Sequence, residues 1–339
     1  MQRLLWLILC LCASEALARE KTDLVTLLNG NQINGEIKEL GHGQLSFSTD
    51  SMGTVRIEWN DIAHASSQYE FQLELSDGTR HYGTVSENQT PGYIVVKTAN
   101  ESVPLQMSQI IRITPIEHSF FEQLRGSLSL GLNLTKNENI ADNFNIAASA
   151  THRTRQRSFE VKLNSIVSEQ NGQTSERAEL SGQLTEFRNN RWFNSYLVGL
   201  ETNDELSLNL RSSIGAGFGR YLIQSNSSEL RATIGLVGTA EEFQGDADPI
   251  QSVEGMLGVA FSKYLYDHPN VDIDLSLTAF PSLTQSGRLR AQLDARIRRE
   301  LLEDLFLDLS LYMTYDKDPQ SQDGKTTDHG IVTSLGWSF

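Results

Sequence analysis

From about residue 120 onward, apolar side chains return at every second position in twelve successive segments. Leu305, Leu307, Leu309, Leu311, Met313 and Tyr315 form one series, and Val271, Ile273, Leu275, Leu277 and Ala279 another. A period of two is the mark of a β-strand with one oily face. The alternate positions are polar and carry both signs of charge, among them Arg125, Glu160, Lys162, Arg211, Arg231, Glu254 and Asp294. Twelve such strands in up-and-down order predict an all-β fold, with a 12-stranded transmembrane β-barrel over residues 120–339. A soluble sandwich would share the alternation but would leave long sheet edges to protect. An even number of strands returns both ends of the barrel to the periplasm.

Threading the strands with the N-terminus inside sorts aromatics and charge. Phe187, Trp192, Tyr221, Tyr264 and Tyr266 fall beside inner turns, and Phe144, Phe280 and Tyr315 at the opposite rim, as two interfacial girdles would. The outer connections sum to −12 and the inner turns to about +2. The last strand stops at an aromatic carboxy terminus, with Leu335, Trp337 and Phe339 on its oily face. This ending is similar to the assembly signal of bacterial outer-membrane barrels. The barrel-assembly machinery is therefore an expected partner, as are outer-membrane lipid and lipopolysaccharide.

Residues 23–116 follow a different pattern, repeated at an offset of 48 residues. Leu28-Asn29-Gly30 matches Ser76-Asp77-Gly78, Gly35 matches Gly83, Ile37 matches Val85, and Asp61-Ile62 matches Gln109-Ile110. The spacing predicts two small β-modules, 23–67 and 68–116. Asn-Gly and Asp-Gly suit type I′ hairpin turns, and the second glycine of each unit marks a bend. The motif is similar to the first motif of Sm-like, SH3-like small barrels. RNA binding does not carry over, because residues 19–116 hold 7 basic against 12 acidic side chains. A structural or protein-docking role, toward a periplasmic protein or the cell wall, is the expectation.

The amino terminus supplies the route. A basic start at Arg3, an apolar run from Leu4 to Ala13 and Ala16-Leu17-Ala18 read as a signal peptide over 1–18. The run is too short to span a bilayer. Cys10 and Cys12 both fall inside it, so the exported chain is expected to lack thiol and disulfide chemistry. A net charge of −15 argues against nucleic acid as a partner.

Residues of about 122–339 resemble the YdiY-like salt-induced outer-membrane proteins, a domain-of-unknown-function family. The likeness rests on Gly126-Ser127-Leu128-Ser129-Leu130-Gly131, on Gly215-Ala216-Gly217-Phe218-Gly219-Arg220-Tyr221 and on the closing Ser334-Leu335-Gly336-Trp337-Ser338-Phe339. The resemblance implies an outer-membrane barrel linked to salt or envelope stress, and brings no functional residues with it.

Candidate chemistry is sparse. The seven histidines form no H-E-x-x-H motif, and there is no G-x-S-x-G elbow. His152 alone sits on the lipid-facing parity of a strand, at the inner rim and without a nucleophile in the pattern; it reads as interfacial. The carboxylate-rich stretches 241–248 and 316–324 lack EF-hand spacing and read as solvated loops. No cofactor, metal or catalytic residue is expected. The remaining feature is a charge ladder on the inner wall. Arg288, Arg290, Arg296 and Arg298 lie at spacing two on one strand, with Glu179, Asp272, Asp274 and Asp308 as expected counter-charges. An ion-paired, filled interior is favoured over an anion track, since a barrel of this size is narrow. The expectation is a non-enzymatic envelope protein that anchors a periplasmic module. A narrow channel gated by that module is the alternative, and an outer-membrane enzyme the lowest-ranked one.

Overall fold

The structure is a computed structural model and describes residues 20–98, 101–116, 124–136, 140–170, 173–245, 249–266, 270–302, 304–318 and 326–338. The signal-peptide expectation and Phe339 lie outside the described residues.

Nine strands make the N-terminal module: β1 (Asp23–Leu27), β2 (Gln32–Gly41), β3 (Gln44–Ser48), β4 (Thr54–Glu58), β5 (Ile62–Leu75), β6 (Arg80–Glu87), β7 (Tyr93–Lys97), β8 (Ser102–Gln106) and β9 (Ile110–Pro115). The repeat is visible in three dimensions. A 3-10 turn at Trp59–Asp61 precedes β5, and one at Met107–Gln109 precedes β9. The boundary expected at 67/68 falls inside β5. The first part of that strand closes the first unit on β1, and the second part pairs with β6 and β9. One apolar core fills both units, from Val25, Ile37 and Phe47 to Phe71, Ile94 and Ile113. Trp59 and Met107 occupy equivalent positions, and the Trp59 indole donates to the Met107 carbonyl at 2.7 Å.

The hairpin turns differ from the type I′ expectation. Gly30 and Gly78 have φ of +86° and +87°, while Asn29 and Asp77 stay at negative φ. Gly30 N donates to Leu27 O and Leu27 N to Asn31 O, at 2.9 and 2.8 Å. This is the three-residue hairpin, a type I turn closed by a left-handed glycine. Asp77 accepts from Thr79 N at 2.8 Å, and this backbone N–H holds its carboxyl below the usual range. Gly35, by contrast, permits close approach: a Cβ there would lie 2.5 Å from Ser48 O.

Twelve antiparallel strands follow and close into a barrel: β10 (Leu124–Lys136), β11 (Ile140–Arg153), β12 (Arg157–Gln170), β13 (Gln173–Phe187), β14 (Trp192–Asn203), β15 (Leu208–Gln224), β16 (Ser228–Phe243), β17 (Ile250–Leu265), β18 (Val271–Pro281), β19 (Leu289–Leu302), β20 (Leu305–Asp316) and β21 (Thr327–Ser338). The closing junction is short. β10 and β21 share four register pairs, Ser127–Leu130 against Ser338–Leu335. Every other junction has nine or more, as in β17 with β18.

The outward parity is apolar around the wall. Leu128, Leu180, Ile214, Leu236, Leu257, Leu309 and Trp337 all leave the protein exposed. An apolar surface of this extent belongs in hydrocarbon rather than water. Two groups depart from expectation. Leu206 and Leu208, which the alternation through Ile214 and Phe218 assigns to the outward face, are buried with Phe243 near the long connections, where β15 carries a bulge against β16. The inner aromatic girdle is also largely internal. Phe187 and Tyr221 are buried with Phe193, and Tyr264 and Tyr266 stack on each other and line the mouth. Of the five, Trp192 faces outward, tilted against Phe218 at 6.1 Å. The reason is parity: Phe187 is an odd step from the outward Leu184, as Tyr264 is from Phe261.

Candidate functional site at the two closures of the lumen

Strand stagger brings together charges that are far apart in sequence. Near the long connections, Glu201, Arg211, Glu241, Arg288 and Asp316 form a chain of alternating sign. Arg211 bonds Glu201 at 2.7 Å and Glu241 at 2.6 Å; Arg288 then bonds Glu241 and Asp316, each at 2.6 Å. Glu241 lies on β16, while Arg288 precedes β19, so the chain crosses the lumen. Arg288 and Glu241 have no exposed side-chain surface. Beside them Arg290 is bidentate on Glu254, two strands away, at 2.9 and 2.5 Å. A second crossing joins Arg177 on β13 to Asp328 on β21 at 3.2 Å, and Asn203 also donates to Asp328, at 2.8 Å. Buried, hydrogen-bonded pairs of this kind fix one arrangement of the wall, because losing either partner strands a charge.

Lower in the lumen Arg296 bonds Asp274 at 2.5 Å, and Arg298 bonds Asp308 at 2.9 and 3.0 Å. The four ladder arginines are thus all ion-paired, although the partners differ from the sequence expectation at two of them. Arg288 and Arg290 take Glu241, Asp316 and Glu254. Glu179 instead lies 3.9 Å from Arg177, and Asp272 faces the chamber at the inner mouth. Glu241 and Asp316 read in the sequence as loop acids; their inward role is set by the stagger.

At the other end the N-terminal module sits across the mouth formed by the short turns. The turn between β2 and β3 enters it. His42, at φ 55°, meets Tyr264 edge-on with ring centroids 4.1 Å apart. Gly43, at φ +82°, lies so close to Asn226 that a Cβ would be 2.8 Å from its carbonyl. Asn226 in turn donates to Ile110 O at 2.9 Å. Arg56 bonds Glu300 and Asp304 at 3.2 and 2.9 Å, and Glu39 pairs with Arg125. Burial, then the charges of Arg112 and Arg125, push the His42 imidazole down to about 3, so it is neutral in place. Around the seated turn, between the module and the barrel, remain polar chambers of about 360 and 750 Å³.

His152, one residue before the end of β11, is on the outward parity, opposite Phe159 and Leu124. Among the described residues no three His, Cys, Asp or Glu are grouped to hold a metal. The acidic stretches at 246–248 and 319–324 lie outside the described residues.

The closed twelve-strand wall, its apolar exterior and its charged interior define an outer-membrane β-barrel. The chain belongs to DUF481, a family of proteins of unknown function, whose sequence profile matches residues 128–339. The family likeness seen in the sequence therefore holds for the barrel; the N-terminal module precedes the matched region. No curated protein matches the chain. Among solved structures it is similar to a bacterial polysaccharide outer membrane secretin, at 11% identity, covering 64% of this chain and 97% of that one, with a TM-score of 0.34. It is similar to the KdgM porin in complex with disordered oligogalacturonate, at 8% identity, 63% and 99% coverage and a TM-score of 0.35. A third is the β domain of the Bordetella autotransporter BrkA, at 9% identity, 64% and 97% coverage and a TM-score of 0.33.

Proposed function

We propose that this protein is a non-enzymatic, narrow outer-membrane channel held closed by its own N-terminal module on the periplasmic side. The observation that carries the reading is the β2–β3 turn seated in the barrel mouth, with His42 on Tyr264 and Gly43 on Asn226. The module touches the barrel through polar contacts and two turns, the second being Gly78 against Arg191, and such a contact suits a seat that can be left. The buried ion chain at the other end is a second barrier, and together they account for a barrel that is closed at rest. Lipid and lipopolysaccharide surround the wall in this reading, the assembly machinery inserts it, and salt or envelope stress is the condition under which opening matters.

The test is planar-bilayer conductance of the full-length protein against Arg56→Glu combined with Asn226→Ala. The parent is expected to be silent and the double variant to open in steps. A silent double variant would overturn the channel reading, provided heat-modifiable gel mobility shows the barrel folded and protease shows the module released. The second reading, a membrane-anchored docking module for an envelope protein or the cell wall, is favoured by the exposed Leu28 and Met52. Those side chains are placed for a partner, and Leu28→Ser would weaken its capture.

A further inference from the structure

The smaller chamber lies between the module and the barrel, and its wall is cationic although the protein as a whole carries −15. Lys38, Arg112, Arg125, Arg153 and Arg231 line it, against Glu39, Glu160 and Glu229. Several of these charges are already satisfied. Arg125 pairs with Glu39, Lys38 with Glu36 at 2.8 Å, and Glu160 with Lys162 at 3.1 Å.

Three arginines make no hydrogen bond to a carboxylate among the described residues. Arg112, from the module, is 3.9 Å from Glu74, beyond hydrogen-bond reach, and its Nε is buried without an acceptor. Arg153, on the last position of β11, rests over the Phe187 ring at 4.0 Å. Arg231, on β16, exposes its side chain to the chamber, which Tyr221 also lines. All three converge around Tyr221, with Glu229 as the remaining chamber carboxylate. Arginines brought together in an enclosed space repel one another unless an anion stands between them, and the guanidinium fork matches phosphate oxygens.

We propose that this chamber binds a small phosphate-type oxyanion, held by Arg112 of the module and by Arg153 and Arg231 of the barrel. The inference rests on the seated module of the preceding section, because Arg112 arrives with it. An occupant would bridge plug and wall, so the bound anion favours the closed protein. The chamber volume of about 360 Å³ admits inorganic phosphate and also a phosphate ester with a small polar head.

The experiment is equilibrium titration of the full-length protein in detergent with inorganic phosphate and, separately, with glycerol phosphate. Module seating is verified by joining Arg56→Cys to Asp304→Cys with a short bismaleimide. Saturable binding of either ligand is expected, weakened about tenfold or more by Arg153→Gln, Arg231→Gln or Arg112→Gln, each desorbing one charge-assisted contact. Arg188→Gln, at an exposed turn, should bind like the parent. Phosphate binding alone identifies the free oxyanion; binding of glycerol phosphate alone identifies an ester; both support the site. Absence of saturable binding by both ligands overturns it, as does binding undiminished by Arg153→Gln and Arg231→Gln. Weakening by the barrel variants but not by Arg112→Gln overturns the bridge. Where a glutamine variant fails to fold, Arg231→Lys keeps charge and serves in its place. Binding needs no conduction, so a silent channel with intact phosphate affinity would sink the channel reading alone.

Discussion

At the residue scale, the interior is governed by what happens to a buried charge when its partner is removed. Glu254 has no exposed side-chain surface and holds Arg290 through two hydrogen bonds. Glu254→Gln should destabilise the barrel by about 3–5 kcal/mol, since the guanidinium is left without its counter-charge. Adding Arg290→Met should restore most of that loss. The measurement is the temperature at which the folded, fast-migrating gel band is lost, for the single and double variants. Equal loss in both would show that the pair contributes through shape rather than charge. These inward charges were legible in the sequence as a class, because parity alone assigns a face. Their pairing was not: Arg288 finds Glu241 across 47 positions and Arg177 finds Asp328 across 151.

At the element scale, neighbouring strands are fitted by aromatics lying on glycines. Phe193 on β14 faces Gly219 on β15, and Phe306 on β20 faces Gly336 on β21. A Cβ at Gly219 would meet the Phe193 ring and come within 2.5 Å of Ala232 O. Covering a strand glycine with a cross-strand ring removes the loss that an unpacked glycine imposes on a sheet. Gly219→Val should therefore cost about 1–3 kcal/mol by overpacking, and Phe193→Ala with Gly219→Val should recover part of it. Urea unfolding of the four proteins in a double-mutant cycle measures this; strict additivity would deny the contact. The twelve strands themselves were readable because period two is unambiguous over a dozen residues. For the aromatic girdle, proximity to a turn sets a side chain's height at the rim, but parity decides which face it takes. Trp192 satisfies both tests, and Phe187 satisfies only the first.

At the scale of the whole molecule, the seated module couples the mouth to acidity. His42 titrates near 3 in place and would return toward 6.5 once released. The released state therefore binds more protons between those values. Seating is fully stabilised above about pH 6.5 and loses that support as pH falls toward 3. Of the groups facing the imidazole, Arg112, Arg125 and Arg153 make a further positive charge there unwelcome, against the opposing pull of Glu39, and Tyr264 covers the ring edge-on. Protease accessibility of residues 23–116 should rise on acidification through this window, and His42→Gln should flatten the response. A pH-independent module would remove the imidazole from the seat's energetics. None of this was visible in the chain, where His42 is one histidine of seven, set between Gly41 and Gly43. The wall has its own asymmetry. Between β10 and β21 four register pairs join the strands, less than half the ladder of any other junction. Lateral stress in a bilayer acts evenly round a cylinder, but resistance to it does not: hydrogen bonds per length of junction set where a hoop yields. This hoop has one weak stave, and under such stress the wall would part first there, sideways, toward the lipid.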